Sequence, residues 1–246
     1  MPSQNARQNG TALHLQEPET LQVRGLSPAQ LWDYENGFYW FSDPKRLGKC
    51  LAHYELYKRV LGLAGDIFEL GVYKATSLTR FATFRELFEN SDSRRIVAFD
   101  AFGEFPTERI DSPGDKKFIR EFESAGGHGL STAEVQAILD HKRISQNVDL
   151  VQGDIRVTIP EFLERRAATR IALLHLDLDV YEPTKFALDA LWDRVVPGGL
   201  VVLDDYNAVE GATEAVDEFA RAHKIGKIEK LGCAHAPAFI VKQNFA

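Results

Sequence analysis

Five apolar runs in this chain end in acids. Phe68-Glu69-Leu70-Gly71-Val72 carries one inside its end, and Arg95–Phe99 runs into Asp100. Val148–Val151 leads to Gly153-Asp154, Ile171–Leu176 to Asp177-Leu178-Asp179, and Leu200–Leu203 to Asp204-Asp205. One acid at a strand end is ordinary, because it caps the helix that follows. Five in register demand positive charge, and the chain supplies no matching basic cluster. A cationic ligand, a metal ion or a set of ligand hydroxyls is the expected partner.

The spacing narrows the chemistry. Asp100, about thirty residues after the first glycine turn, suits a ribose diol, since a carboxylate accepts from both hydroxyls. Nicotinamide dinucleotides and S-adenosylmethionine share that device. The turn itself, Glu69-Leu70-Gly71-Val72-Tyr73-Lys74-Ala75-Thr76-Ser77, has one glycine where a pyrophosphate cradle needs several. Glu69 would repel a pyrophosphate but suits an ammonium group. If the fourth and fifth runs pair, their ends lie about 5 Å apart. Asp177, Asp204 and Asp205 then converge as oxygen ligands for a hard divalent cation such as Mg²⁺, which can lower the pKa of a substrate hydroxyl. Asp179 is open between that cluster and a cap on the helix begun by Pro183.

The elements that must position these groups alternate along the chain. Helical faces are expected over Leu47–Leu61 (Leu47, Cys50, Leu51, Tyr54, Leu61), Ser77–Phe88, Ser131 onward through a capping box, Pro160–Arg166, Pro183 onward, and Ala212–Ala220. Residues 227–231 and 237–241 read as two last strands. Continuous apolar strands between helices specify an α/β, doubly wound, mostly parallel seven-stranded sheet. Ligands then bind beyond the strands' carboxyl ends. Residues 102–130 read as glycine-rich loop. Residues 1–20 read as a mobile arm, and Ser27-Pro28 opens a short helix. The aromatic run Tyr34–Phe41, broken at Asn36-Gly37, is a packed cap or a lid. The division is therefore 1–44, arm and cap, and 45–246, the binding domain.

Composition closes off other classes. With 29 basic and 36 acidic residues in 246, the net charge of −7 argues against a nucleic-acid binder. No apolar span of membrane length occurs, and Met1–Gln16 lacks the apolar core of a signal peptide. Two cysteines fit reduced thiols in the cytoplasm. His53, His141 and His223 read as solvated or partly packed, His175 as a satisfied core histidine, and His128 and His235 as loop residues within reach of a pocket. No nucleophile elbow, zinc-protease motif or P-loop occurs.

At Gly65-Asp66-Ile67-Phe68-Glu69-Leu70-Gly71-Val72, Phe99-Asp100-Ala101-Phe102, Leu176-Asp177-Leu178-Asp179-Val180-Tyr181 and Pro197-Gly198-Gly199 to Asp204-Asp205-Tyr206, the chain resembles the macrocin O-methyltransferase family. The resemblance spans roughly residues 45–242. It implies a class I, Rossmann-like methyltransferase acting with S-adenosylmethionine and Mg²⁺ on a sugar hydroxyl of a deoxyhexose, nucleotide sugar or glycosylated natural product. It implies cofactor contacts at Glu69, Gly71, Ser77, Asp100 and Asp154. Asp177, Asp204 and Asp205 become the metal acids, with Asp177 also the base. The implied partner is a sugar-containing small molecule, not a nucleic acid or a membrane, and self-association is left open. Lys74-Ala75-Thr76 departs from the paired glycines common in the family, and residues 103–147 resemble its nucleotide-sugar branch more than its macrolide members. Val180 replaces the lysine of catechol-type enzymes. The rivals are a nicotinamide-dependent oxidoreductase, a non-catalytic cofactor-binding module, and an iron-using hydroxylase-type protein.

Overall fold

The computed structural model describes residues 21–243; the arm expected over residues 1–20 lies outside them. The chain divides into two compact units, residues 1–42 and 43–246. In the first, Ser27 caps a 3₁₀ turn, Pro28–Gln30, which leads into α1, Leu31–Phe41. The Tyr34 hydroxyl donates to Gln30 (2.6 Å) and accepts from the Ser27 amide. α1 runs straight through Asn36-Gly37, where the sequence predicts a break. Two weak helix formers cost on the order of 1 kcal/mol or more, too little to interrupt the surrounding turns.

The second unit begins with α2, Pro44–Val60, capped by Asp43. Its buried side is Gly48, Ala52, His53, Leu56, Tyr57 and Val60, while Leu47 and Leu51 are exposed. This corrects the expected apolar face. His53 and Tyr57 carry enough ring surface to face inward in place of two leucines.

Then come β1 (Asp66–Leu70), α3 (Thr76–Phe88), β2 (Ile96–Asp100), α4 (Pro113–Gly126), α5 (Thr132–His141), β3 (Val148–Gln152), α6 (Ile155–Arg165), β4 (Ile171–Leu176), α7 (Tyr181–Leu191), β5 (Val195–Leu203), α8 (Glu210–Ala222), β6 (Glu229–Lys230) and β7 (Ala238–Val241). The seven strands form one sheet ordered β3-β2-β1-β4-β5-β7-β6, with β7 antiparallel to both neighbours and the other pairs parallel. Helices cover both faces, as the unbroken apolar strands require. β4 buries all six residues, and Phe68, Phe99 and Phe162 pack ring against ring in the core.

Two helices differ from expectation. α4 stands where a loop was expected, because Ser112 caps it, Pro113 starts it, and Ile119 is buried on its inner face. α6 starts five residues before Pro160, capped by Asp154, and carries that proline inside. The expected capping box is present at α5, Ser131 and Glu134 each bonding the other's backbone.

Register sets the strand ends level. Leu70 pairs with both Phe99 and Leu176, and Leu176 with Leu203, so Gly71, Asp100, Asp177 and Asp204 form one row. The turns beyond this row hold left-handed residues: Gly71 (φ 86°), Tyr73, Ala75, Phe102, Gly153, Asp179 (φ 63°) and Asn207. Backbone strain of this kind concentrates at functional sites. Ala75 takes its left-handed conformation in the stretch that lacks the paired glycines.

At Gly71 the conformation combines with close packing, since a Cβ there would overlap the Asp177 carbonyl. Gly71→Ala is expected to destabilise the protein by roughly 2–5 kcal/mol, adding overpacking to backbone strain. Urea denaturation should show a lower midpoint with an unchanged slope.

Candidate active site

Two clefts open above the row of strand ends. The first, about 770 Å³, is walled by Gly71, Asp100, Gly153, Asp154 and Arg156, with Phe105, Ile110 and Phe122 opposite. The second, about 1350 Å³, is walled by Arg46, Lys49 and His53 of α2, Ser77 and Arg80 of α3, and Asp204 and Asp205. Tyr73, Phe122, Asp177 and Asp179 line both, so the clefts meet at two aspartates.

Asp100 is the organiser of the first cleft. One carboxylate oxygen accepts from the Val72 and Tyr73 amides (2.6 and 3.1 Å), the other from the Phe102 amide (2.5 Å). Three of its roughly four acceptor positions are thus filled by backbone. It shapes both turns and keeps capacity for one further donor. Asp154 accepts from the Arg156 amide and is gripped by the Arg156 guanidinium (2.9–3.1 Å). Burial raises its pKa, but the arginine outweighs burial and holds it below the carboxylate range.

Glu69 reaches neither cleft. It is fully enclosed, accepts from the Ser77 hydroxyl on one oxygen, and among the described residues has no hydrogen-bond partner for Oε2. Burial pushes its pKa up to about 8.

Around β4 and β5 the acids divide. Oxygens of Asp177, Asp179 and Asp205 lie within 4.8 Å of one another. Asp205 accepts from the Asp179 amide (2.9 Å). Asp179 caps no helix; Asp115 of α4 instead accepts from the Tyr181 amide at the start of α7. Burial, then mutual repulsion, raises Asp177 and Asp205 well above the carboxylate range and Asp179 to about 7. Such a trio fits a hard cation, because a divalent charge removes both costs.

Asp204 turns the other way. Its Oδ2 takes Lys49 Nζ at 2.5 Å, while Oδ1 faces His175 Nε2 at 3.7 Å and His53 Nε2 at 4.0 Å. Burial raises its pKa, yet the His175 and Lys49 side chains hold it low. The Lys49 ammonium in turn is held above its usual pKa by these acids despite burial. The gathered trio therefore differs from the expected metal set in one member, Asp179 standing where Asp204 was placed.

The structure makes three corrections. A basic residue does neutralise a strand-end acid, but Lys49 comes from α2, 155 residues away in sequence. His53 is wholly buried rather than solvated, and burial lowers its pKa to about 2. His175 is buried but unsatisfied, with no hydrogen-bond partner for either nitrogen among the described residues. His128 is exposed beside Glu123 and Glu104, and His235 is exposed near Asn207. One sequence signal pointed to the second cleft. Arg46, Lys49 and His53 recur at i, i+3 and i+7, the period of one helix face.

Residues 47–232 match the macrocin O-methyltransferase (TylF) family. The chain belongs to that family. A relative from Streptomyces olivaceus, 8-demethyl-8-(2,3-dimethoxy-alpha-L-rhamnosyl)-tetracenomycin-C 4'-O-methyltransferase, is 29% identical over 160 residues, 64% of this chain and 59% of that protein. The matched chain spans about three fifths of the length of the curated relatives. Among solved structures, the calicheamicin methyltransferase CalS11 is 28% identical with a TM-score of 0.64, covering 87% of this chain and 86% of that one. The O-methyltransferase NovP, 22% identical with a TM-score of 0.69 over 80% of each chain, shares the fold. No helix among the described residues of this macrocin O-methyltransferase family member is long and apolar enough to cross a membrane.

The crowded trio has a measurable cost in metal-free protein. A carboxyl whose folded pKa is raised stabilises the fold below its unfolded pKa of about 4, and that stability is lost as pH rises through the folded value. For Asp179 the window runs from about 4 to about 7. In EDTA, Asp179→Asn should melt with the parent at the acid end and above it at pH 8. A constant difference in melting temperature across that range would separate Asp179 from the trio.

Proposed function

We propose that the chain is an O-methyltransferase that uses S-adenosylmethionine and a divalent cation, Mg²⁺, to methylate a sugar hydroxyl. The acceptor class is a deoxyhexose, a nucleotide sugar or a glycosylated natural product. One observation carries the reading: the cleft walled by Asp100 and Asp154 and a second cleft meet at Asp177 and Asp179, inside the acid trio. The relatives add support, since they are named O-methyltransferases and one name carries a rhamnosyl group. The cysteines are free thiols, which fits a reducing, cytoplasmic setting.

S-adenosylmethionine, when bound, supplies an activated methyl group, and the cation supplies positive charge that favours an ionised hydroxyl. The chain does the rest. Asp100 and Asp154 wall the cofactor cleft, and Gly71 lets the β1 turn lie flat against Asp177. Glu69 and Ser77 support that turn from beneath. Asp177 and Asp205, with Asp179, would hold the cation, and Asp204, paired with Lys49, adds charge beside them. Asp177 is the base the family resemblance implies. Asp179 is a second carboxylate beside it in the same trio. Positioning accounts for much of the rate, because the methyl donor needs no further activation.

Turnover, followed as S-adenosylhomocysteine release with nucleotide sugars and glycosides as acceptors, should vanish in EDTA and return with Mg²⁺. Asp177→Asn should lower kcat by about 10²–10⁴-fold while leaving cofactor affinity near the parent value. Full activity in exhaustive EDTA would overturn the metal reading.

Asp100→Ala should weaken S-adenosylmethionine binding by about 1.5–3 kcal/mol in calorimetry. It should also lower the melting temperature, because two turns lose their acceptor. An unchanged dissociation constant would remove Asp100 from the cofactor site.

A further inference from the structure

The lining of the second cleft falls into two sets of opposite charge. Asp177, Asp179, Asp204 and Asp205 come from the ends of β4 and β5, while Arg46 and Lys49 come from α2 and Arg80 from α3. Most cations around the two clefts are already paired. Lys49 is committed to Asp204, Arg156 to Asp154, and Lys74 to the His128 carbonyl. Arg46 and Arg80 differ, because neither guanidinium meets a carboxylate or any other acceptor among the described residues. Arg46 is exposed, but Arg80 is half-buried, where water makes a poorer partner. The chain carries 36 acidic residues against 29 basic. Two guanidiniums left without an acid in one cleft of such a chain call for an anion that a ligand brings.

We propose that Arg46 and Arg80 form an oxyanion subsite for the phosphates of a nucleoside diphosphate sugar, so that the sugar is methylated before it is transferred. The inference rests on the methyltransferase reading and narrows its acceptor class. Donor number decides between anions. Each guanidinium presents a planar fork of N–H donors that matches carboxylate or phosphate oxygens in pairs. A lone carboxylate is filled by one fork, whereas a diphosphate has charged oxygens enough for both. Placement agrees. Arg46 and His53 are seven residues apart on one face of α2, about 10 Å along the axis. Arg80 lies close enough to His53 for its charge to be felt there. The two arginines thus reach the cleft from separate stations, which suits an extended anion better than a compact one.

The two sets of charge also orient the acceptor. Phosphate is repelled by the four aspartates, so the anionic end lies towards α2 and α3 and the sugar towards the strand ends. The cleft, about 1350 Å³, has room for both parts. Methyl transfer leaves the diphosphate intact: the methyl group passes from the cofactor's sulfur to the hydroxyl oxygen, and the hydroxyl proton goes to the base. The class of reaction that consumes the product is glycosyl transfer. There an aglycone hydroxyl bonds to the anomeric carbon and loses its proton, and the nucleoside diphosphate departs.

The test is calorimetry on the full-length chain saturated with S-adenosylhomocysteine and Mg²⁺. It compares thymidine and uridine diphosphate hexoses and deoxyhexoses with the methyl glycosides of the same sugars. At least one nucleotide sugar should bind more than about thirtyfold tighter than its methyl glycoside, and the preference should shrink as salt rises. Arg80→Gln should weaken nucleotide-sugar binding by about 10–100-fold, and the more exposed Arg46→Gln by about three- to tenfold. Both variants should keep the parent affinity for methyl glycosides and for S-adenosylmethionine, and the retained cofactor affinity shows that they fold. Absence of nucleotide-sugar binding, or equal binding of nucleotide sugars and methyl glycosides, would overturn the proposal. So would variants that lose S-adenosylmethionine instead, since the arginines would then belong to the cofactor's carboxylate. Because the readout is binding, a chain that holds nucleotide sugars through these arginines without methylating them would count against the methyltransferase reading alone.

Discussion

Four aspartates at the ends of β4 and β5 cannot all stay ionised in a part-buried crevice unless positive charge stands among them. That constraint organises the molecule. Parallel register puts Asp177 and Asp204 side by side, and the residues after them, Asp179 and Asp205, complete the crowd. Lys49 answers one acid directly. The other three are answered by a bound cation or by protons, and the two states differ in charge, in stability and in what the crevice can do to a hydroxyl. The fold tolerates the conflict because a nine-residue β5 and an entirely buried β4 hold the ends in place from below.

The cofactor side follows a different logic. There the acids are already satisfied by the chain itself, Asp100 by three backbone amides and Asp154 by Arg156. These carboxylates act first as scaffolding for turns that carry left-handed residues. A ligand then meets preformed surfaces rather than loose loops, and little ordering cost remains at binding. The contrast between satisfied acids on one side and unsatisfied acids on the other marks where charge must arrive from outside.

The sheet, its order of helices and the strand-end acids were legible in the sequence, because continuous apolar runs and their punctuation are local signals. α4 was hidden by flanking glycines that outweighed Ser112-Pro113, and α6 by a proline that stands inside the helix instead of opening it. What escaped altogether was long-range. Nothing near Asp204 announces Lys49, and nothing near His175 announces that its nitrogens go unpaired. Those facts depend on how α2 packs, and α2 itself was read with the wrong face inward. Asp179 stays open between two roles in the sequence because the group that meets the start of α7, Asp115, lies 66 residues before Tyr181.

α2 bears on acids that it does not itself supply. It precedes the alternating core and contributes no strand-end group, yet one of its faces, Arg46, Lys49 and His53, walls the second cleft. α4, an insertion between β2 and α5, supplies Phe122, Ala125 and Gly126 to the same wall. Both helices are tied to the ends of β4 and β5, α2 through Lys49 on Asp204 and α4 through Asp115 on the Tyr181 amide. A change in either helix is therefore felt at the aspartates as well as in the wall of the cleft.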